Sequence, residues 1–223
     1  MILVLCGKSG SGKDTVAQYM EEHSVIVDRL CSTTSRPPRE GENEGVEYNF
    51  ISRNDFEKAI NTNKWIEYRA YDTLVNGIPD TWYYGTAKTS VDEVKDKAGI
   101  KVLIKDLDGA KDIKDYCTAE GIDIRCVLID TPDALRTERA MNRGSFNDIE
   151  WNRRLAADAR DFTPEKIKAV IDYTVKNEDV TIAELSDKIY KYAVREDALS
   201  NSEVRKKPFN KVETIEDDYD YER

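Results

Sequence analysis

Histidine and cysteine are scarce in this chain of 223 residues, and their placement excludes several kinds of site. With His23 as the single histidine, neither a histidine-based catalytic triad nor a histidine zinc site is expected. The four cysteines form no C-x-x-C pair, and Cys6 and Cys126 lie in apolar, strand-like runs where a buried thiol is ordinary. We therefore expect buried thiols and no zinc centre.

The chain also lacks an excess of basic residues and any long apolar run. The 34 lysines and arginines against 44 aspartates and glutamates give a formal net charge of −10, which argues against a general nucleic-acid surface. No apolar stretch approaches membrane-spanning length, and no charged leader precedes the first apolar run. We expect one globular domain in the cytoplasm of a cell or an infected cell, with neither nucleic acid nor membrane as partner. The oligomeric state is left open.

Residues 3–15 carry a phosphate-binding motif. A short apolar run, typical of one buried strand, leads into a glycine-rich turn and then into helical periodicity up to about His23. Gly7 and Gly12-Lys13 fit G-x-x-x-x-G-K, a P-loop whose backbone N–H groups and following helix surround a phosphate while the lysine reaches the β- and γ-phosphates. The motif predicts a nucleoside triphosphate site at Ser9, Gly10, Ser11, Gly12, Lys13, Asp14 and Thr15.

A second phosphate-binding segment follows at residues 31–50. Arg36 and Arg39 bracket a Pro-Pro pair that restricts φ and keeps the backbone extended. Two guanidinium groups at a rigid spacing suit a second, separate phosphate group. Tyr48, on a predicted strand over residues 46–51, supplies a third hydrogen-bond donor. An exposed basic turn in an acidic protein is the alternative.

These two segments and the later Tyr83-Tyr84-Gly85-Thr86 resemble the guanylate kinase family. The likeness is collinear from residue 1 to about residue 192, and S-T-T-S-R-P-P-R-x-G-E-x-x-G-x-x-Y-x-F, which begins at Ser32, is far more specific than the glycine-rich loop. The resemblance implies MgATP-dependent phosphorylation of GMP or dGMP to the diphosphate. The GMP-binding residues that it implies are Ser32, Arg36, Arg39, Tyr48, Glu67, Tyr84, Thr86 and Asp106.

Glu67, on a predicted strand over residues 65–71, is the candidate for recognising the base. In the family, the glutamate of this strand accepts hydrogen bonds from guanine, which presents N1–H and N2–H side by side, whereas adenine presents the opposite pattern at N1. The alternative is a surface glutamate on an edge strand.

An insertion lies beside this candidate base pocket. About eight residues within 72–82 exceed what typical family members have there, and Asn76-Gly77 between apolar neighbours predicts a small hairpin. The insertion leaves open another (deoxy)nucleoside monophosphate kinase on the same scaffold, although Glu67 speaks against it.

Arginines are concentrated on two predicted helices around a polar loop at residues 144–149. Arg139 and Arg143 are four residues apart, so they share one helix face, and Arg154 lies on the second helix. By resemblance these helices form a lid that neutralises charge on the transferred phosphoryl group. The resemblance also implies that Arg139 and Asn177 bind ATP, with Asn177 near the adenine. Pairing with acidic neighbours such as Glu150 is the alternative. The residues expected to act in catalysis are Lys13, Arg36, Arg139, Arg143 and Arg154.

Two carboxylates are candidates for contact with Mg²⁺. Asp14 stands where the motif usually has Ser or Thr, and it can hold the ion directly or through water. The apolar strand over residues 101–106 ends in Asp106, at a place that P-loop folds use near Mg²⁺, and which matches a family acid at the junction of the two nucleotide sites. A second family acid is Ile104 here, so the groups around the metal differ from the usual set.

Apolar strands that alternate with helical segments predict an α/β sandwich around a central parallel sheet. We expect one domain over residues 1–195, with a core of 1–30 and 89–195, a β-rich monophosphate-binding lobe at 31–88 and a helical lid at about 133–160. The polar, acidic tail 196–223 is expected to be flexible or ordered only against a partner.

Local patterns also predict where four helices begin. Capping boxes at Ser90-x-x-Glu93 and Thr181-x-x-Glu184 open two of them, the first running to about residue 98. Thr131 and Thr163, each followed by proline, are expected as the caps of two more.

A protein-binding module is the more distant functional alternative. Guanylate-kinase-like domains of scaffold proteins bind peptides and have lost catalysis. Such domains degrade the phosphate-binding loop, whereas Gly7, Gly12, Lys13 and the lid arginines persist here.

Overall fold

The strands of the structure, a computed structural model that describes residues 1–39, 41–75, 78–142 and 146–194, form two sheets. In the described ranges the strands, in chain order, are β1 (Ile2–Cys6), β2 (Val27–Arg29), β3 (Thr33–Thr34), β4 (Asn49–Phe50), β5 (Trp65–Val75), β6 (Ile78–Ala87), β7 (Ile100–Ile104), β8 (Ile124–Asp130) and β9 (Tyr173–Lys176).

The helices account for most of the remaining described chain. They are α1 (Lys13–His23), α2 (Arg53–Asn61), α3 (Lys88–Asp92), α4 (Leu107–Glu120), α5 (Asp133–Met141), α6 (Asp148–Asp161), α7 (Pro164–Val170) and α8 (Ile182–Val194).

The central sheet is parallel, with strand order β2-β7-β1-β8-β9. All five residues of β1 are buried, as expected for a middle strand that is covered on both faces. Alternate side chains of β1 point to opposite faces. Val4 packs in a core with α4 and α7, and Leu5 in a second core with α1 and α8. The predicted three-layer α/β sandwich is therefore confirmed.

The second sheet has the order β4-β3-β6-β5. β5 and β6 pair antiparallel from Trp65↔Ala87 to Val75↔Ile78, which confirms the hairpin predicted for the insertion, while Asn76 and Gly77 lie outside the described residues. The strand predicted over residues 46–51 is shorter than expected, because Gly45 takes a positive φ of 74° and the chain turns before β4 begins.

Two of the four predicted helix starts are confirmed and two are wrong. The Thr163 and Thr181 side chains accept from Lys166 N and Glu184 N, as predicted. Thr131 instead donates its hydroxyl to Ser11 O, and α5 begins after Pro132. α3 begins at Lys88, directly after β6, and ends at Asp92, so the predicted start at Ser90 and end near residue 98 are both wrong.

Several expectations lie beyond the described chain. Arg143, residues 144 and 145 of the polar loop, and the chain from residue 195 onward belong to the undescribed residues. In the described part, no helix is long and apolar enough to cross a membrane. Cys6 and Cys126 are free and buried, as expected for apolar strand positions, and Cys117 on α4 is free and buried as well.

Candidate active site

The loop between β1 and α1 has the backbone that an anion site requires. Gly10 and Gly12 take φ values of 75° and 91°, which favour glycine. A Cβ on Gly7 would lie 2.5 Å from Ser11 Oγ and 2.8 Å from Ile129 O, so a side chain does not fit there. Gly12 caps α1 without any side-chain group, and the first N–H groups of the helix remain available to an anion.

The side chain of Lys13 folds back over the glycine-rich loop (Gly7–Lys13). Its Nζ donates to Gly7 O at 2.8 Å and to Lys8 O at 3.2 Å. Burial lowers the pKa of the Lys13 ammonium, because the charged form loses solvation. An anionic phosphate group beside Nζ would offset that cost, so this lysine is suited to an anionic ligand.

A cavity of about 380 Å³ adjoins the loop on the side of β9. Asn177 lines this cavity and is buried. Its Nδ2 donates to Ser11 O at 2.9 Å, and its Oδ1 accepts from Arg139 Nη2 at 3.5 Å. Ser11 is itself fully buried, whereas Asp14 is exposed on the first turn of α1. Of the residues predicted to bind ATP, this cavity brings together Gly10, Gly12, Thr15, Arg139 and Asn177.

A second cavity, of about 420 Å³, lies between the two sheets. It is polar, and its charged side chains come from β5, from the two residues after β7 and from the loop before β4. Thr86 lies just behind its wall, hydrogen-bonded to Glu67. The predicted GMP-binding residues that line this cavity are Ser32, Arg36, Arg39, Tyr48, Glu67, Tyr84 and Asp106.

Arg36 is held in place by Glu42, a residue that the sequence did not single out. Both terminal nitrogens of Arg36 donate to the Glu42 carboxylate at 2.8 Å, and Arg39 N donates to the same group at 2.7 Å. These bonds lower the pKa of Glu42 to about 2. Arg36 is 3% exposed, and its buried Nε has no hydrogen-bond partner among the described residues.

Glu67 lies in the same cavity and is 6% exposed. Its Oε1 accepts from Thr86 Oγ1 at 2.8 Å and from Lys105 Nζ at 2.7 Å. Arg69, two residues further along β5 and on the same strand face, brings Nη1 within 4.0 Å of Oε2. Sequence reasoning missed Lys105 and Arg69, although the first directly precedes Asp106 and the second shares the strand face of Glu67.

A third cavity, of about 610 Å³, lies between the second sheet and helix α6. Arg154 lines it and donates from Nε to Glu150 at 2.9 Å, so the pairing considered as an alternative does occur. Asp106 and Arg69 line both this cavity and the one that holds Glu67, while Ser9 connects it to the glycine-rich loop. Asp106 therefore lies at the boundary between these two cavities.

A buried ion pair anchors the glycine-rich loop and was not predicted. Arg136 Nη1 donates to Asp158 at 2.9 Å and to Ser9 O at 2.6 Å. Asp158 in turn accepts from Ser9 N at 3.0 Å. Because Arg136 is on α5 and Asp158 on α6, one pair joins both helices to the loop.

The two carboxylates proposed for Mg²⁺ do not form a protein metal cage. Within the described ranges, no group of three or more acidic, cysteine or histidine side chains is placed to hold a metal. Asp106 caps α4 by accepting from Gly109 N at 2.6 Å and has Arg69 at 3.7 Å. This donor set fits an ion carried mainly by nucleotide phosphates and water, which is the usual mode for Mg²⁺.

A glycine-rich anion loop on a parallel α/β sheet, with one cavity beside it and a second, arginine-lined cavity between the two sheets, is the arrangement of a nucleoside monophosphate kinase. The family model for guanylate kinase matches residues 1–192, and the chain belongs to the guanylate kinase family.

Individual relatives agree with this assignment. The guanylate kinase of Clostridioides difficile is 33% identical over 183 residues, which is 81% of each chain. The human guanylate kinase is 31% identical over 191 residues, covering 83% of this chain and 90% of the relative. The crystal structure of guanylate kinase from Anaplasma phagocytophilum matches with a TM-score of 0.54 at 25% identity, covering 86% of this chain and 83% of that one.

Proposed function

We propose that this protein transfers the γ-phosphoryl group of ATP to GMP or dGMP, giving ADP and GDP or dGDP. One observation carries the choice of acceptor: the buried Glu67 carboxylate and the paired arginines Arg36 and Arg39 line the same cavity. A carboxylate oxygen accepts the N1–H and N2–H donors of guanine, while guanidinium groups bind its phosphate. The cavity thus offers complementary groups to both ends of the nucleotide.

The geometry supports in-line transfer between two bound nucleotides. ATP would occupy the cavity beside the glycine-rich loop, with Asn177 near the adenine and the loop around its phosphates. The acceptor phosphate would be held by Arg36, Arg39, Tyr48 and Tyr84, and its oxygen would attack the γ-phosphorus. The remaining residues of the proposed ATP and GMP sites are Ser9, Gly10, Ser11, Gly12, Asp14, Thr15, Ser32, Thr86 and Asp106.

Positioning and charge would supply the rate acceleration in this reaction. Lys13, Arg36, Arg139, Arg143 and Arg154 would share the negative charge of the transferred phosphoryl group. No covalent enzyme intermediate is required. Mg²⁺, bound to the nucleotide phosphates, would neutralise further charge, with Asp14 and Asp106 near it directly or through water.

The proposed setting follows from the same residues. We expect cytoplasmic activity on small-molecule nucleotides, because the net charge of −10 disfavours nucleic acid and the four cysteines are unpaired. We also propose that residues 31–88 form the monophosphate-binding lobe and about 133–160 the lid of a domain spanning 1–195, with the acidic tail 196–223 outside it.

The experiment that tests this function is coupled ADP-release kinetics with MgATP against GMP, dGMP, AMP, dAMP, UMP, CMP and dTMP. We expect turnover only of GMP and dGMP, and a loss of about 10- to 100-fold in kcat/KM for GMP in Glu67→Gln, because one bond to a charged acceptor is weakened. Glu57→Gln is the matched control, since Glu57 is an exposed glutamate of the same lobe paired with Arg53.

Two outcomes of this assay would overturn the proposal. Strong turnover of another base would mean that the hairpin insertion has rebuilt the pocket and that Glu67 does not select guanine. ATP binding without turnover of any monophosphate would point instead to a binding module.

A further inference from the structure

Lys105 brings a positive charge into the base cavity that phosphoryl transfer does not use. Its Nζ lies 2.7 Å from Glu67 Oε1 and 3.0 Å from Ser32 Oγ, and its side chain is 11% exposed. Lys105 N donates to Leu5 O at 3.2 Å, so the residue is fixed at the end of the central sheet. The ammonium group is therefore held rigidly between the two side chains proposed to contact the base.

The hydrogen-bond inventory leaves donors free beside Glu67. An ammonium has three N–H donors, and the bonds to Glu67 and Ser32 use two of them. The Ser32 oxygen accepts from Lys105, so the hydroxyl proton can still be donated. Among the described residues, the third ammonium proton and this hydroxyl proton have no acceptor.

The hydrogen bonds of Glu67 leave one of its two carboxylate oxygens free to accept. Glu67 Oε1 already accepts from Thr86 and Lys105, whereas Oε2 accepts no hydrogen bond from the described residues, and Arg69 at 4.0 Å is beyond hydrogen-bond distance from it. The wall of the cavity therefore presents two donors next to one carboxylate acceptor. A ligand that matches it has an acceptor with two lone pairs directly beside a donor.

We propose that the Lys105 ammonium donates to the oxygen at position 6 of the purine, which makes Lys105 a specificity-determining residue of this site beside Glu67 and Ser32. The inference rests on the proposed function, which places the purine in this cavity. A 6-oxopurine offers O6 as the acceptor and N1–H as the adjacent donor. A 6-aminopurine would direct N–H groups at the Lys105 ammonium and an unprotonated N1 at the Glu67 carboxylate, leaving buried polar groups unpaired.

The test compares GMP with 6-thio-GMP, in which sulfur, a weak acceptor, replaces O6 while N1–H and N2–H remain. In the wild-type full-length protein we expect kcat/KM to favour GMP. In Lys105→Met we expect kcat/KM for GMP to fall about 10- to 100-fold, the effect of a hydrogen bond to a charged group, while that for 6-thio-GMP falls by less than about threefold. The ratio between the two substrates therefore collapses.

A purely structural role for Lys105 gives a different result. If the lysine only neutralises and orients Glu67, both substrates lose the same factor and their ratio does not change, which would overturn the proposal. Lys101→Met is the matched control, because Lys101 lies on β7, the strand that directly precedes Lys105, with Nζ 2.7 Å from the exposed Asp28. We expect neither rate nor ratio to change in that variant.

Two further measurements keep the result interpretable. If Lys105→Met does not fold by circular dichroism, Lys105→Ala, which also lacks a donor but leaves room for water beside Glu67, is used, and an unchanged ratio there also overturns the proposal. Calorimetric binding of GMP and 6-thio-GMP separates the inference from the proposed function. Selective, Lys105-dependent binding of GMP without turnover would refute the kinase activity but support O6 recognition.

Discussion

The buried pair Arg136–Asp158 gives the sharpest stability prediction. The two side chains are 1% and 10% exposed and meet at 2.9 Å, and Asp158 also accepts from Ser9 N. Asp158→Ala leaves a buried guanidinium without its main counter-ion. Removing one partner of a buried ion pair costs about 3–5 kcal/mol. Because Arg136 keeps a bond to the exposed Asp133, we expect the lower end, about 3 kcal/mol.

The assay is urea unfolding of the full-length protein, followed by circular dichroism. With a slope of about 2–3 kcal/mol per molar urea, Asp158→Ala should lower the midpoint by about 1 M or more. The double variant Arg136→Met/Asp158→Ala should be less destabilised than the sum of the single changes, because no unpaired charge remains. Asp161→Ala, which breaks an exposed pair with Arg160 on the same helix, should cost under about 1 kcal/mol.

The reasoning is refuted if Asp158→Ala is no less stable than Asp161→Ala, or if the double variant equals the sum of its parts. Function supplies a second measurement. Since Asp158 and Arg136 bind the backbone of Ser9, we expect Asp158→Ala to raise the KM for ATP more than the KM for GMP.

Two further predictions concern the arginines and acid stability. Arg143→Ala should lower kcat by orders of magnitude in the coupled assay, because a cation that neutralises transition-state charge is lost; a normal kcat would refute its role. The pKa of Glu42 is about 2 in the folded protein and about 4.3 in the unfolded chain, so the folded state binds fewer protons. Glu42 therefore stabilises the fold fully above about pH 4.3, and this stabilisation is lost as the pH falls through about 2. Stability measurements should therefore show a difference between the wild type and Glu42→Gln that shrinks from pH 6 to pH 2, whereas a constant difference would contradict the ion pair with Arg36.

Features encoded locally were predictable from the sequence. The glycine-rich loop needs positive φ at Gly10 and Gly12, and this requirement is visible in the residue types alone. The hairpin follows from a turn signal between apolar neighbours, and the sandwich from alternating strands and helices. Each of these inferences depends on residues that are close in the chain.

Contacts between distant segments were not predictable. Lys105 meets Glu67 across 38 positions, and Arg136 meets Asp158 across 22, because different elements bring them together only in the folded chain. Thr131 has the sequence of a helix cap, yet its hydroxyl donates to a carbonyl 120 residues away. Tertiary hydrogen bonding outweighed the local preference there.

The structure beside the base cavity, around the insertion, was predictable from the sequence only in part. Its hairpin was predicted, but not that β5 would carry Tyr71 into the wall of the cavity, with its ring 5.7 Å from that of Tyr84. Glu67, Arg69 and Tyr71 share one face of that strand, and β5 continues from them into the inserted residues as far as Val75.

Product analysis tests the central claim most directly. Incubation of the wild-type protein with MgATP and GMP, followed by anion-exchange chromatography, should yield ADP and GDP in equal amounts, because each γ-phosphoryl group lost by ATP is gained by GMP. Formation of ADP without GDP would show that ATP is hydrolysed and that its phosphoryl group is not transferred to GMP. Formation of neither product would show that no reaction takes place. Either result would contradict the proposal that the cavity lined by Glu67, Arg36 and Arg39 binds GMP as the phosphoryl acceptor.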